Sequence, residues 1–309
     1  MTTRIPRGPV RIVPALVAAL IASAGAGVTA APAPETAVVP AEDVDISARI
    51  PTKAGAPQFW HLLAIYELHF NLMSDAYSAN DVYSWYMLQA KFDVTRRDQL
   101  GIRMELLQRF VADRDESGLF FGDIRFTYWR KFALPIPKFP IPGVASIYLT
   151  APSSRESQAR SYLTRPTVSL SLAPSWGPLT LIATGIYRYS FAKYAESAEG
   201  GTPNERQSAA IQAQLLYQPL PWFTPSFLWQ SWWAESYPSR ENTSQGWRGS
   251  SYYFEFALTF TVPMPARSPG LDLSLVYSQG AAMLTDGLYR FAFAKRDQAE
   301  LYLGVNLSY

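Results

Sequence analysis

YYFEFALTFTV, residues 252 to 262, sets Tyr252, Phe254, Phe256, Leu258, Phe260 and Val262 on one face of an extended chain. Tyr253, Glu255, Ala257, Thr259 and Thr261 fall on the other. A helix cannot gather the first set, because residues two apart point to nearly opposite sides at 3.6 residues per turn. The alternation recurs in LTLIATGIYRYSF, where Leu181, Ala183, Tyr187, Tyr189 and Phe191 oppose Thr180, Thr184, Arg188 and Ser190, and again in AAIQAQLLY, LDLSLVY and QLGIRMEL. It runs to the last residue. In LYLGVNLSY, Leu301, Leu303, Val305, Leu307 and Tyr309 share a face against Tyr302, Gly304, Asn306 and Ser308. From Phe59 onward the chain is therefore a succession of strands, each with one greasy side.

A soluble sandwich also alternates, turning its greasy face inward. Three features favour the opposite sense. The apolar faces are dense with aromatic rings near strand ends. The alternate faces carry charges in several successive segments, and after the N-terminal region no apolar run is long enough for a helical membrane span. Hydrocarbon contact requires every backbone hydrogen bond to be satisfied, and a sheet achieves that only by closing on itself. The predicted fold is all-β: an antiparallel transmembrane barrel.

The N-terminus sets the compartment. MTTRIPRGPVR carries Arg4, Arg7 and Arg11 without an acid, IVPALVAALIA is apolar, and SAGAGVTA places Val28 and Ala30 at cleavage-site spacing, so residues 1–30 read as a secretory signal peptide. Its removal takes three of the 27 basic residues and none of the 25 acidic ones, leaving a formal charge of −1. The remaining Lys and Arg form no basic stripe, so no nucleic-acid partner is expected. The complete lack of cysteine excludes disulfides, thiol catalysis and zinc-thiolate sites. Residues 31–57, rich in Ala and Pro with an acidic cluster at Glu35, Glu42, Asp43 and Asp45, read as a disordered periplasmic linker. Residues 58–309 form the barrel.

Strands are predicted at 59–74, 81–94, 97–112, 119–133, 143–151, 163–174, 178–193, 206–219, 223–235, 249–263, 269–279 and 298–309. That makes twelve, with GLYRFAFAKR at 287–296 as a further short strand or part of a loop. Short connections (TRR, APSWG, PLPW) alternate with long polar ones (TAPSSRESQARSY, KYAESAEGGTPNE, ESYPSRENTSQGWRG). The long ones are assigned outside the cell, and the short turns and both termini to the periplasm. LPIPKFPIPG, residues 134 to 143, is expected to be a proline-stiffened periplasmic connection.

With its export signal, alternating body and terminal LYLGVNLSY, the chain resembles bacterial outer-membrane β-barrels over about residues 59 to 309. The last segment resembles the strand signal recognised by the barrel assembly machinery. The resemblance implies insertion among outer-membrane lipid and delivery through Leu301–Tyr309. Twelve-stranded members are similar to monomeric channels, and the expected function is passive diffusion of small polar or charged solutes. A non-conducting structural, adhesion or assembly module is the alternative, with a barrel-embedded lipid hydrolase ranked behind it.

The candidate lumen-lining residues are those that hydrocarbon would penalise. They are Glu67 and His69 on the first strand, Lys91 and Asp93 on the second, Arg103 and Glu105 on the third, and Asp123, Arg125 and Lys131 on the fourth. Arg188, Glu255 and Asp272 stand on later walls. Mixed signs allow either a solvated passage or an ion-pair lattice that narrows it. An enzyme is not expected. HLLAIYELHFN, which holds both histidines, has no neighbouring serine and lacks the His-Asp-Ser segment of the outer-membrane phospholipase that such a barrel resembles in size. His61 and His69, eight apart on a strand, are too distant to share a metal, and nothing calls for a cofactor. In WFTPSFLWQSWWAESY, Phe227 and Trp229 are expected to face lipid, and Trp232, Trp233 and Tyr237 to anchor the outer rim, with stacking of a sugar on an inward ring as the competing use.

Overall fold

The computed structural model describes residues 59–71, 82–110, 118–136, 141–198, 201–238, 248–265, 268–282 and 299–309. The signal-peptide and linker assignments, and the segment at 287–296, lie outside these residues.

Twelve long strands follow in chain order: β1 Trp60–Asn71, β2 Val82–Asp93, β3 Asp98–Arg109, β4 Ile124–Leu134, β5 Ile141–Ala151, β6 Tyr162–Leu172, β7 Leu179–Tyr189, β8 Glu205–Tyr217, β9 Phe223–Ser236, β10 Arg248–Val262, β11 Gly270–Ala282 and β12 Ala299–Ser308. Each pairs antiparallel with its chain neighbours, and β12 pairs with β1 from Leu63↔Ser308 to Asn71↔Glu300, so the sheet closes into a ring. The aromatic terminus belongs to this seam. Leu62 N–H donates to the Tyr309 carbonyl at 2.8 Å, Tyr309 N–H donates back at 2.9 Å, and the Tyr309 ring lies 5.4 Å from that of Trp60.

Alternation maps onto the two surfaces of the ring. Leu88, Ile102, Phe126, Leu149, Leu170, Ile211, Phe256, Leu275 and Leu303 point outward and are exposed, whereas their sequence neighbours point inward and are mostly buried. An exposed apolar band of this extent is incompatible with water. At the end carrying the short turns it finishes in a cluster of rings, with Trp222, Phe223 and Phe260 centroids 5.2 to 6.4 Å apart. Gly177, at φ 57°, turns the chain between β6 and β7 in the left-handed conformation that glycine adopts without a Cβ clash.

The strand count and the faces agree with the sequence, and the boundaries differ in instructive places. The expected strand 119–133 is two pieces, Gly118–Phe121 and β4, both on β3. Their registers differ by one residue, which places a bulge at Gly122–Asp123. β5 begins at Ile141, inside the segment read as a connection, and Pro142 sits opposite Ala133 near the strand end. At the opposite end the connection 152–161 contains a short helix, α1 Arg155–Ala159, capped by Ser154, whose Oγ accepts from Ser157 N–H at 3.1 Å. Asn204 ties this connection to the next, its Nδ2 donating to the carbonyls of Arg160 (2.7 Å) and Tyr194 (2.9 Å).

Candidate functional site

Because odd and even positions separate the two faces, the inward side chains can be followed around the ring. The sector from β2 to β7 is basic. Lys91, Arg103, Arg109, Arg125, Lys131, Arg165 and Arg188 stand on it with three carboxylates, Asp93, Glu105 and Asp123. Arg103 and Arg125 are register partners, and Glu105 lies between them at 2.8 Å from Arg103 Nη2 and 3.5 Å from Arg125 Nη2. That carboxylate offsets the repulsion of two guanidiniums on adjacent strands.

Aromatic faces back these cations. Lys91 Nζ lies 4.9 Å over the Trp129 ring, Arg103 Cζ 5.7 Å over Trp85, Arg125 Cζ 5.8 Å over Tyr148 and Arg188 Cζ 5.0 Å over Trp232. The first contact depends on Gly101, since a Cβ there would come within 2.6 Å of the Trp129 ring. Lys131 is half-buried on β4, and Asp93, toward the turn end, accepts from Gln99 Nε2 at 2.6 Å and lies 3.0 Å from His61 Nε2.

Asp123, in the bulge, accepts from Ser154 N–H at 2.9 Å, from Ser157 Oγ at 2.5 Å and from Arg165 Nη2 at 2.7 Å. Burial acts to raise its carboxyl, but Arg165 and the two serines outweigh it and hold Asp123 below the usual carboxylate range. The bulge thereby fastens α1 to the wall.

The sector from β10 through β12 to β1 is acidic. It presents Glu255, Asp272, Glu300 and Glu67 inward, and its one Lys or Arg among the described residues is Arg248, at the loop end of β10. Its centre is His69, 1 % exposed, with Nε2 3.0 Å from Glu67 and Nδ1 3.3 Å from Glu300. The imidazole is stacked between Tyr83 (4.3 Å) and Tyr302 (4.5 Å). The Tyr83 hydroxyl donates to Glu300 at 3.1 Å; Tyr302 donates to Glu255 at 2.8 Å, and so does Tyr253. Asp272 accepts from Thr261 Oγ1 at 2.6 Å.

Glu300, Tyr83, Arg109 and Arg165 are absent from the residues picked out in the sequence, and Tyr253 and Tyr302 are placed there on the less apolar faces without a role. Glu300 was within reach, since it shares the parity of Tyr302 and Asn306. Trp232 corrects the rim assignment. It points inward, 3 % exposed, and packs on Ile186 and Ala210. Counting by twos from the outward Phe227 and Trp229 gives that direction, and the expectation failed because it followed aromatic composition instead of parity.

A closed ring of antiparallel strands with an apolar outside and a charged, hydroxylated inside defines a transmembrane β-barrel of the outer-membrane type. No protein-family model and no curated protein matches the sequence. Solved structures align with most of the chain at low identity. They include the NanC porin (10 % identity, TM-score 0.44, 81 % of this chain and 98 % of that one) and the KdgM porin (9 %, 0.40, 80 % and 99 %). The outer membrane channel DcaP of Acinetobacter baumannii is a third (11 %, 0.37, 81 % and 96 %).

Proposed function

We propose that the barrel is a passive outer-membrane channel for small polar and charged solutes, with its long connections outside the cell and both termini in the periplasm. The observation that carries this reading is the division of the interior. Seven cations against three carboxylates on β2–β7 face a sector holding four carboxylates, with Arg248 at the loop end of β10 as its one Lys or Arg among the described residues. Packing alone gives no reason to sort charge this way. A lattice built only for stability gains most when opposite charges alternate, whereas a sorted interior sets a transverse field that orients a dipolar or charged solute. One observation favours the alternative, a non-conducting module: Arg103 and Lys91 are 2 % and 1 % exposed, as in an interior locked by its own pairs.

Planar bilayers separate the two. The channel reading expects stepwise conductance from the purified, heat-modifiable protein and entry of small polar solutes into liposomes without added energy; persistent silence in both assays, coupled with pull-down of another membrane component, would favour the module. For Arg103→Gln and Arg125→Gln, each tested singly, the reversal potential should move toward cation preference. The shift should shrink between 0.1 M and 1 M salt, as the Debye length falls from about 10 to about 3 Å. A folded variant with unchanged selectivity would remove that arginine from the filter.

A further inference from the structure

The wall of β7 to β9, between the basic and acidic sectors, carries a different chemistry. Gln212 on β8 and Gln230 on β9 are direct register partners, both inward, 1 % and 0 % exposed. Neither amide has a hydrogen-bond partner at its oxygen or at its nitrogen. Gln214, two residues along the same face of β8, adds a carbonyl oxygen that is also unpartnered. Most buried polar side-chain atoms are paired, so neighbouring amides with all donors and acceptors open call for a physical reason.

The neighbours supply one. On the loop side the rung is Ile186, Ala210 and Trp232; on the turn side lie Leu228 and then Ile182 packed with Leu216. The nearby hydroxyls are engaged elsewhere, Thr184 with Ser171 at 2.9 Å and Tyr253 with Glu255. The result is a short ladder of amides bracketed by hydrocarbon. Its complement offers hydroxyls at the amides and C–H faces to Ile186, Trp232 and Leu228, and has no net charge to be drawn to either flanking sector.

We propose that Gln212, Gln230 and Gln214 form a binding subsite for an uncharged, ring-shaped polyhydroxylated solute. Each hydroxyl both donates and accepts, matching an amide that does the same, and binding supplies partners to groups that find none within the protein wall. The solute's route in rests on the channel reading, whereas the binding itself can be measured without conduction.

Calorimetric titration of the folded barrel in detergent with glucose tests the assignment, with the acyclic polyol mannitol as a second arm. Heat-modifiable migration serves as the folding check for every variant. Glucose should bind, mannitol more weakly, and Gln212→Leu/Gln230→Leu should weaken glucose about tenfold, the equivalent of roughly two lost hydrogen bonds. Gln230→Met, the milder change, should give an intermediate loss and keeps the test open if the double variant does not fold. No binding of glucose to the wild-type protein would overturn the subsite. So would equal affinity in the folded Gln230→Met variant, or mannitol bound as tightly as glucose. A barrel that binds glucose through these amides but never conducts would retain the subsite and discard the channel.

Discussion

His69 shows how one side chain can hold a wall together. Both ring nitrogens face carboxylates, so the imidazole can satisfy Glu67 and Glu300 together only by donating from each, and it then carries the charge that offsets them. His69→Leu keeps the volume roughly but strands two buried carboxylates and leaves Tyr83 and Tyr302 stacked on an aliphatic chain. Loss of one partner from a buried ionic group costs about 3–5 kcal/mol. Urea unfolding of the refolded barrel should give an unfolding free energy lower by that amount, read as an earlier midpoint at unchanged slope, and an unchanged midpoint would mean that Glu67 and Glu300 do not depend on the imidazole. The sequence makes His69 readable as an inward polar residue because Glu67 and Asn71 share its parity. It does not make Glu300 readable as the partner. The two are 231 residues apart, and only the closing seam brings them together.

At the level of elements, the bulge at Gly122–Asp123 and α1 act as one device. Asp123 is held below its ordinary range in the folded state, so the stability it contributes is complete above the unfolded carboxylate value and lost as pH falls through the lower folded value. Acidification should therefore loosen the 152–161 connection while the strands persist. Protection factors of Ser157 N–H and Arg160 N–H, referenced to the intrinsic exchange rate at each pH, should fall in acid, and Asp123→Asn should produce the same fall at neutral pH; protection indifferent to both would show α1 held by its other contacts. Strand identities were legible from alternation because each face has a consistent chemistry. The bulge was not, because GLFFGDIRF continues an apolar rhythm across it and a one-residue slip leaves no mark in composition. The start of β5 was hidden for a different reason: Pro137, Pro140 and Pro142 read as punctuation, although proline is tolerated at strand ends.

For the whole molecule, closure governs stability. Removing residues 299–309 deletes two seams at once, β11–β12 and β12–β1, and leaves two long unpaired edges where hydrocarbon allows none. The truncated chain should lose heat-modifiable migration and fail to enter the membrane fraction; stable insertion without these residues would contradict the ring. Closure was legible as a requirement, since exposed apolar strands must leave no edge, and the count of twelve followed from the spacing of turns. The sorting of charge was not. Each strand shows only its own inward residues, and the acidic sector exists only once β10, β11 and β12 stand beside β1.

Eleven of the twelve seams join strands adjacent in the chain, and β12 to β1 is the single pairing that spans its length. In topological terms the barrel is a train of local hairpins plus one long-range contact. The entropy of closing a loop grows only with the logarithm of its length, so tying Trp60 to Tyr309 costs only about 2–3 kcal/mol more than tying one hairpin. For that small increment the chain converts two frayed edges into continuous sheet, and the search for its native topology stays almost entirely between immediate neighbours.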